Sequence, residues 1–366
     1  MITLTSPSSS RLDRVIDVAC LICGRAQIDV LASTADIQFQ FRILNAFHRR
    51  RRIESHPDQL ADRTRFTQDY SAQIVQCRTC GFIYRNPRPV ATTITSTYAK
   101  DHYSAAHLQA EFDAQRSWAK HKASRLARWL PVKRTPSIIE VGSFVGGFLA
   151  AAQEHGWTVL GVDPGKQVAE FCLARGLPVH CGTLADAPIA SQSVDAVVIW
   201  NTFDQLPDPD ITLESARQML RTDGILVIRV PNGLLYRHAV KSLKRNGLWR
   251  HILIATLAWN NLLGFPYLHG YSVGTLDRLL GRHGFRRRGV YGDALLPLAD
   301  RHTKLWARWE EHMVKWGCRL LAAQPFQPAS QWYPWMDLYY GLSGPIQTNM
   351  PPQESRGQLA SFVSRQ

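Results

Sequence analysis

The sequence lacks any uninterrupted apolar segment long enough to cross a bilayer, which takes about 18–20 residues. Its nearest candidate, 252–265, is shorter and contains two asparagines, Asn260 and Asn261. The first residues also lack the apolar core of a secretory signal peptide. We therefore expect a cytoplasmic chain with no transmembrane segment.

Acidic residues are scarce relative to basic ones. Asp and Glu total 29 against 43 Lys and Arg, which gives a formal net charge of +14. Such a charge suits a partner that carries phosphates or carboxylates. It leaves four interpretations open: nucleic acid, an anionic membrane surface, a phosphorylated small molecule, or a basic surface with no specific partner. The basic run 48–52 is predicted to be a solvated loop.

Cysteines are few, seven in all, and four of them form two C-x-x-C pairs at Cys20 with Cys23 and at Cys77 with Cys80. Two thiolates at this spacing can take adjacent corners of a tetrahedron, so two pairs can complete a zinc site. The long segment 24–76 must then loop out between them. Four reduced structural cysteines are the alternative. The remaining three, Cys172, Cys181 and Cys318, are predicted to be core residues.

From residue 137 onward, short apolar strands alternate with helices, a pattern typical of a parallel sheet covered on both faces. The predicted strands are 137–141, 158–162, 179–181, 194–200, 224–230, 285–292 and 335–340. The predicted helices are 105–130, 147–155, 166–175, 209–220 and 274–284. We expect a zinc-ribbon-like module at 13–90, a helical linker at 91–136, a catalytic domain at 137–341 with insertions at 233–266 and 297–331, and a flexible tail at 342–366.

The first strand of this series runs into a glycine-rich turn, EVGSFVGG at 140–147. Glycines at such a turn let the backbone approach a ligand closely. Asp163 ends the second strand, where a carboxylate can accept both hydroxyls of a ribose. The segment 182–186, after the third strand, is placed to contact an adenine ring. Phe144 stands where such loops usually have a second glycine, so we expect a slightly reshaped loop.

Four segments in order, IIEVGSFVGGFLAAAQEHGWTVLGVDPG, GTLADA, SVDAVVIWNTFDQLPDP and LRTDGILVIRVPN, resemble the class I S-adenosylmethionine (SAM)-dependent methyltransferases over about residues 137–292. The resemblance implies an α/β fold with a Rossmann-like, doubly wound sheet of seven strands, the last of them antiparallel. It also implies SAM as cofactor. The cofactor contacts are expected at Glu140, Gly142, Ser143, Gly146, Asp163, Pro164, Thr183, Leu184 and Asn201.

The segment CRTCGFIYRNPRP at 77–89 resembles the zinc-ribbon head of one branch of these enzymes, which includes sugar C-methyltransferases. In that branch the zinc ion is structural. With Cys20, Cys23, Cys77 and Cys80 as ligands, no coordination position stays open for catalysis.

Substrates of doubly wound folds bind beyond the carboxyl ends of the strands. Asp204 lies there, although relatives carry His and Glu-His where this chain has Asn201 and Asp204-Gln205. His269 and Tyr267 lie where the family has a histidine, and either is a candidate general base beside Asp204. The insertion 233–266 mixes apolar and basic residues, which suits a substrate lid, a peripheral membrane contact or ordinary helix packing.

Three functions follow from these motifs. The first is a methyltransferase that acts on carbon or oxygen of a small-molecule acceptor of the sugar, lipid-linked or natural-product type. The second is an RNA methyltransferase whose zinc module grips nucleic acid, which the net charge favours. The third is a SAM-binding or degenerate scaffold, which Phe144 and the departures at Asn201 and Asp204 favour.

Overall fold

The computed structural model describes residues 15–53, 72–100, 102–243, 247–299, 302–322 and 333–343. The strands are β1 Val15–Ile16, β2 Ile28–Ala32, β3 Gln73–Cys77, β4 Ile83–Asn86, β5 Arg88–Pro89, β6 Ser137–Val141, β7 Thr158–Asp163, β8 Val179–Cys181, β9 Val194–Trp200, β10 Leu220–Pro231, β11 His269–Gly270, β12 Phe285–Asp293 and β13 Trp335–Leu342. The helices are α1 Thr34–Arg51, α2 Ala91–Lys100, α3 Ala105–Leu126, α4 Gly147–Glu154, α5 Lys166–Leu173, α6 Pro209–Met219, α7 Gly233–Ser242, α8 Leu248–Trp259, α9 Val273–Arg282 and α10 Leu305–Ala322.

Seven strands form the central sheet, in the order β12-β13-β10-β9-β6-β7-β8. The strands β8, β7, β6, β9 and β10 run parallel, and β13 runs antiparallel to both β10 and β12. All seven residues of β9 are buried, because helices cover both faces of the sheet. The predicted Rossmann-like fold with an antiparallel last strand is confirmed.

The sheet order creates a topological switch point between β6 and β9. The chain leaves β6 for β7 and β8 on one side and then returns to β9 and β10 on the other. In open α/β sheets, ligands bind at the carboxyl ends of the strands at such a point. The loops after β6 and β9 are therefore the ones that position a site.

A second sheet has the order β11-β4-β3-β2 and carries the cysteine pairs. Its edge strand β11 comes from the part of the chain that also forms the central sheet, with His269 opposite Tyr84 and Gly270 opposite Ile83. The sheet therefore crosses the boundary predicted at residue 90. Sequence spacing cannot reveal this pairing, because β11 is only two residues long.

The basic run 48–52 is not a loop, as predicted, but ends a helix. α1 begins at a capping box in which Ser33 and Asp36 bond each other's backbone amides, and its last turn contains His48, Arg49, Arg50 and Arg51. No proline or glycine interrupts this segment, so nothing stops the helix before Arg52. The segment between the cysteine pairs thus contributes β2, α1 and β3 to the fold instead of simply looping out.

Helices from distant segments pack together into a separate apolar cluster. α1 contacts α8, and α8 contacts α10. Buried residues of this cluster include Leu44, Leu235, Trp259 and Ala307. The predicted insertions 233–266 and 297–331 therefore supply α7, α8 and α10, and residues 323–332 lie outside the described part.

The segment 91–136 contributes α2 and α3, and α3 packs along α4 beside the central sheet. Gly147 in α4 sits so close to α3 that a Cβ atom there would lie 2.4 Å from Cβ of Gln115. The last strand extends to Leu342, and most of the predicted tail, residues 344–366, lies outside the described residues. Within the described residues, no helix combines the length and apolar character needed to cross a membrane.

Candidate active site and cysteine cluster

The four paired cysteines converge at one place. Their sulfur atoms all lie within 4.8 Å of one another, with Cys20 to Cys80 at 3.4 Å and Cys23 to Cys77 at 3.5 Å. A tetrahedral zinc ion with Zn–S bonds of about 2.3 Å needs sulfurs roughly 3.8 Å apart. The donor set and its spacing therefore fit zinc.

Both cysteine pairs sit in matching turns. The amide of Gly24 donates to the Cys20 carbonyl at 2.8 Å, and the amide of Gly81 donates to the Cys77 carbonyl at 2.9 Å. Both glycines have positive φ, 70° and 75°, which other residues adopt only at a cost. The glycine after each second cysteine is therefore required by the turn.

The glycine-rich turn after β6 touches the loop after β9. Gly142 has φ of 71°, and a Cβ atom there would lie only 2.4 Å from Oγ1 of Thr202. Gly146 also has positive φ and begins α4. The hydroxyl of Ser143 is buried and has no hydrogen-bond partner among the described residues. The two loops at the switch point thus meet around unpaired polar atoms.

Phe144 takes a backbone conformation that glycine adopts more readily. Its φ is 44°, in the left-handed region, which costs an L-residue roughly 1–2 kcal/mol. Its amide donates to Oδ2 of Asp163 at 2.8 Å, and its ring packs edge-on against Tyr103 at 5.2 Å. These contacts offset the strain of Phe144.

Asp163 faces the glycine-rich turn. Its second oxygen accepts the amide of Gly165 at 2.9 Å, so each carboxylate oxygen holds one backbone amide and keeps a further lone pair. Glu140 is buried, and its Oε2 has no hydrogen-bond partner among the described residues. Burial, with the charge of Asp163 adding to it, raises the pKa of Glu140 well above its usual range. A cation at this carboxylate would restore its ionised form.

On the opposite side of the switch point, the loop after β9 carries a buried acid. Asp204 has no exposed surface, and neither of its carboxylate oxygens has a hydrogen-bond partner among the described residues. Burial raises its pKa to about 8. Asn201 has φ of 57°, and its side-chain oxygen accepts a hydrogen bond from Arg229. Arg229 thus holds the strained turn that presents Asp204.

The two other candidate bases are engaged in packing. His269 is buried in β11, where Nε2 lies 3.1 Å from the Leu206 carbonyl and 3.2 Å from Arg88. Burial, with the charge of Arg88, lowers the pKa of His269 to about 3. Tyr267 is half-buried, and its hydroxyl accepts a hydrogen bond from Asn261 at 2.9 Å. Between Asp204 and His269, Asp204 is the one whose pKa lies near neutrality.

The remaining predicted cofactor residues surround the end of β7 and β8. The Pro164 carbonyl lies 3.8 Å from Sγ of Cys181. Thr183 caps a short 3-10 turn through Asp186, and Leu184 is buried in the core beneath it. Thr183 is therefore exposed, whereas Leu184, predicted as a cofactor contact, is buried beneath the segment and supports it.

A buried ion network next to Asp204 was not predicted. Lys122 of α3 has no exposed surface and contacts the carboxylates of Asp293 and Asp337, the former at 2.6 Å. Arg229 lies 3.2 Å from Asp337, and its guanidinium carbon lies 4.6 Å from the centre of the Trp335 ring. A charged residue inside an apolar strand is rare unless it is paired. Arg229 in GILVIRV and Asp337 in WMDLYY could therefore have indicated a buried ion pair from the sequence alone.

Aromatic residues before α3 cover the carboxyl end of the sheet. Tyr98 donates from its hydroxyl to the side-chain oxygen of Gln205 at 2.5 Å. Tyr103 exchanges two hydrogen bonds of 2.8 Å with the side chain of Gln167. These contacts place Tyr98 and Tyr103 over the loops that follow β6, β7 and β9.

The residues at the switch point fit an adenosine-bearing sulfonium. Asp163 retains acceptor capacity for ribose hydroxyls, and the unpaired atoms of Glu140 and Ser143 are buried beside the same turn. Buried polar groups without partners are costly, so such a cluster is typical of a ligand site. Asp204 supplies a further unpaired carboxylate on the acceptor side.

Residues 111–287 match a family model described as a methyltransferase domain. No curated protein matches the sequence. A structure from Thermotoga maritima, described as a SAM-dependent methyltransferase and possible histamine N-methyltransferase, is 17% identical, with 64% of this chain and 94% of that chain covered and a TM-score of 0.42. A SAM-dependent methyltransferase from Archaeoglobus fulgidus is 16% identical, with 62% and 94% covered and a TM-score of 0.40. One from Mesorhizobium loti is 17% identical, with 60% and 96% covered and a TM-score of 0.39.

Proposed function

We propose that this chain, whose residues 111–287 match a model of a methyltransferase domain, uses SAM to transfer a methyl group to carbon or oxygen of a small-molecule acceptor of the sugar, lipid-linked or natural-product type. SAM supplies the activated methyl group, the acceptor loses a proton as it takes that group, and the sulfonium leaves as a neutral thioether. The observation that carries the proposal is the contact of Gly142 with Thr202 at the switch point, among unpaired polar atoms.

The cofactor would be held from the β6 and β7 side. Asp163 accepts the ribose hydroxyls, because it already orients itself through the amides of Phe144 and Gly165. Glu140 pairs with the ammonium group of the methionine end, which returns the buried carboxylate to its charged form. Gly142, Ser143 and Gly146 form the wall, and Pro164, Thr183 and Asn201 border it.

The acceptor would bind from the β9 and β10 side, against Asp204. Trp118, Trp200 and Trp335 pack with the paired charges of Lys122 and Arg229 on that side of the sheet. Asp204 lies in the protein interior and not on an open basic surface, which a nucleic-acid backbone needs, and this placement supports a small acceptor. Asp204 is our proposed general base, with His269 a neutral neighbour that positions the loop through Leu206.

The pH profile tests the role of Asp204. A base must be ionised, and the pKa of Asp204 is about 8 because of burial. We expect kcat to rise about tenfold per pH unit below 8 and to level off above it. Asp204→Asn should lower kcat by roughly 10²–10⁴ on the plateau above pH 8 and remove the pH dependence, so that the difference between the two enzymes narrows as the pH falls below 8. Initial rates of methyl transfer from labelled SAM measure both.

The matched control is Asp208→Asn, which changes an exposed carboxylate four residues further on. It should leave the rate and its pH profile unchanged. A flat profile for the unmodified enzyme, together with an active Asp204→Asn variant, would exclude Asp204 as the base.

Titration calorimetry with SAM tests the cofactor site against a degenerate scaffold. Binding heat with a one-to-one ratio is expected, whereas a scaffold whose turn is blocked by Phe144 gives none. A SAM-binding scaffold would give the heat but no methyl transfer from labelled SAM. The RNA alternative has a different signature, since phosphate contacts make affinity fall steeply with salt. If the chain binds RNA with a steep salt dependence, and if SAM analogues strengthen that binding, the RNA alternative is favoured over a small-molecule acceptor.

We also propose that the four cysteines hold one structural zinc ion. All four thiols are protein ligands at tetrahedral spacing, so the ion would tie the two turns together and take no part in the chemistry. A cytoplasmic location agrees with these reduced thiols, since all seven cysteines are free of disulfides.

A further inference from the structure

The helix α10 buries one ion pair and exposes most of its large apolar side chains. Its buried face contains Glu311 and Lys315, each 3% exposed and paired with each other. Its outward face contains Leu305, which is 74% exposed, and Trp309, which is 69% exposed. A helix whose outer face meets only water has the opposite arrangement.

The buried ion pair fixes α10 on the catalytic domain. The carboxylate of Glu311 accepts the amides of Leu298 at 2.6 Å and Ala299 at 2.8 Å, and Lys315 donates to the Leu296 carbonyl at 2.7 Å. These partners belong to the segment that follows β12. The inner face of α10 is therefore bound to the segment after β12, and this contact fixes the direction in which the outer face points.

The start of α8 extends the apolar surface. Trp249 is 81% exposed, Ile252 is 49% exposed, and α8 packs against α10. We call this surface the tryptophan face, and it consists of Trp249, Ile252, Leu305, Trp306, Trp309, Met313, Trp316, Leu320 and Leu321. Scattered exposed apolar residues are ordinary, but a set this large on two adjoining helices marks an interaction site.

Basic residues border the tryptophan face, and the acidic residues of α10 are either paired with a basic residue or buried. Arg50, Arg51, His251, Lys304 and Trp306 line one cavity of about 670 Å³. The carboxylates of α10 are both engaged, since Glu310 pairs with Arg51 at 2.6 Å and Glu311 lies inside. The surface is therefore apolar and cationic.

We propose that the tryptophan face docks this protein onto an anionic phospholipid bilayer, with the rings at the headgroup level. Tryptophan prefers the membrane interface because one end of its ring system is apolar and the other donates a hydrogen bond. Arg50 and Lys304 would lie near the lipid phosphates. This inference is independent of the proposed methyl transfer.

Co-sedimentation of the full chain with vesicles tests the docking. We expect binding to vesicles of equal phosphatidylglycerol and phosphatidylcholine and little binding to phosphatidylcholine alone. Trp309→Gln with Trp316→Gln should lower the partition coefficient at least about tenfold, because two interfacial rings are lost. Arg50→Gln with Lys304→Gln should lower it about thirtyfold, and binding should weaken with salt.

The matched control is Ile211→Gln on α6, where Ile211 is 55% exposed outside the tryptophan face. It should bind vesicles like the unmodified chain, and all variants should bind SAM equally without lipid. Failure to sediment with the anionic vesicles overturns the proposal. So does a dimer in sedimentation velocity that Trp309→Gln with Trp316→Gln dissociates, since a second copy would then cover the face.

Discussion

Asp163→Ala is expected to lower the affinity for SAM at least about hundredfold. A hydrogen bond to a charged group contributes about 1.5–3 kcal/mol, and Asp163 is expected to make two of them to the ribose. Each 1.4 kcal/mol corresponds to a factor of ten in the dissociation constant. The substitution also leaves the amides of Phe144 and Gly165 without their acceptors, which loosens the strained turn. Titration calorimetry measures the loss.

Two variants separate the ribose contact from the loss of the turn. Asp163→Asn keeps one oxygen acceptor and should have an intermediate affinity. Glu170→Gln removes an exposed carboxylate from α5, the helix that follows Asp163, and should bind SAM normally. Unchanged affinity in Asp163→Ala would contradict the proposed cofactor site, because no other described carboxylate holds the amides of that turn.

Removing zinc is expected to unfold the second sheet and to weaken SAM binding at the same time. Structural zinc contributes about 10–16 kcal/mol in small sites, as much as the whole stability of a typical domain. Metal analysis should give one zinc ion per chain, and a chelator or Cys77→Ser should remove it with a large fall in melting temperature. The control Cys181→Ser changes a cysteine outside the cluster and should keep the ion.

Removal of zinc should also weaken SAM binding, because hydrogen bonds connect the second sheet to the loops near the proposed cofactor site. Arg85 of β4 is buried and donates to the carbonyls of Pro266 at 2.6 Å and Gly264 at 2.5 Å. Arg88 donates to the Pro207 carbonyl at 3.1 Å, next to the loop that carries Asp204. A chain purified without zinc that melts and binds SAM as before would contradict both the metal site and this coupling.

The central sheet could be predicted from the sequence because its strands are short apolar runs between turn residues. The predicted bounds of β6, β8 and β9 agree with the structure residue for residue. β10 begins at Leu220 and not at 224, because Leu220 pairs with Val194 before an irregularity in the ladder. Such a local deviation depends on the neighbouring strand, which periodicity does not record.

Positions of the candidate site that lie within one sequence motif could be predicted. Contacts between residues from distant segments could not. The positions of Glu140, Gly142 and Asp163 follow from one strand–turn–helix unit and the next strand. The pairing of His269 with Tyr84 and the contact of Lys122 with Asp337 join residues far apart in sequence. Their partners are set by the packing of α3 and β4, which no local pattern specifies.

The slight reshaping of the turn expected at Phe144 stays a prediction. The structure shows a positive φ of 44° at this residue, where a side chain has a steric cost. The bond from its amide to Asp163 and the ring contact with Tyr103 together offset that cost.

The edge strand of the four-stranded cysteine sheet, His269–Gly270, belongs to the part of the chain that also forms the central sheet. The first ninety residues of the chain therefore cannot be exchanged between related proteins by joining sequences near residue 90. A chimera would have to carry residues 264–271 along with the donor's first ninety, so that Arg85 meets its own carbonyl partners. The cysteine cluster and the segment 264–271 would then have to be exchanged together.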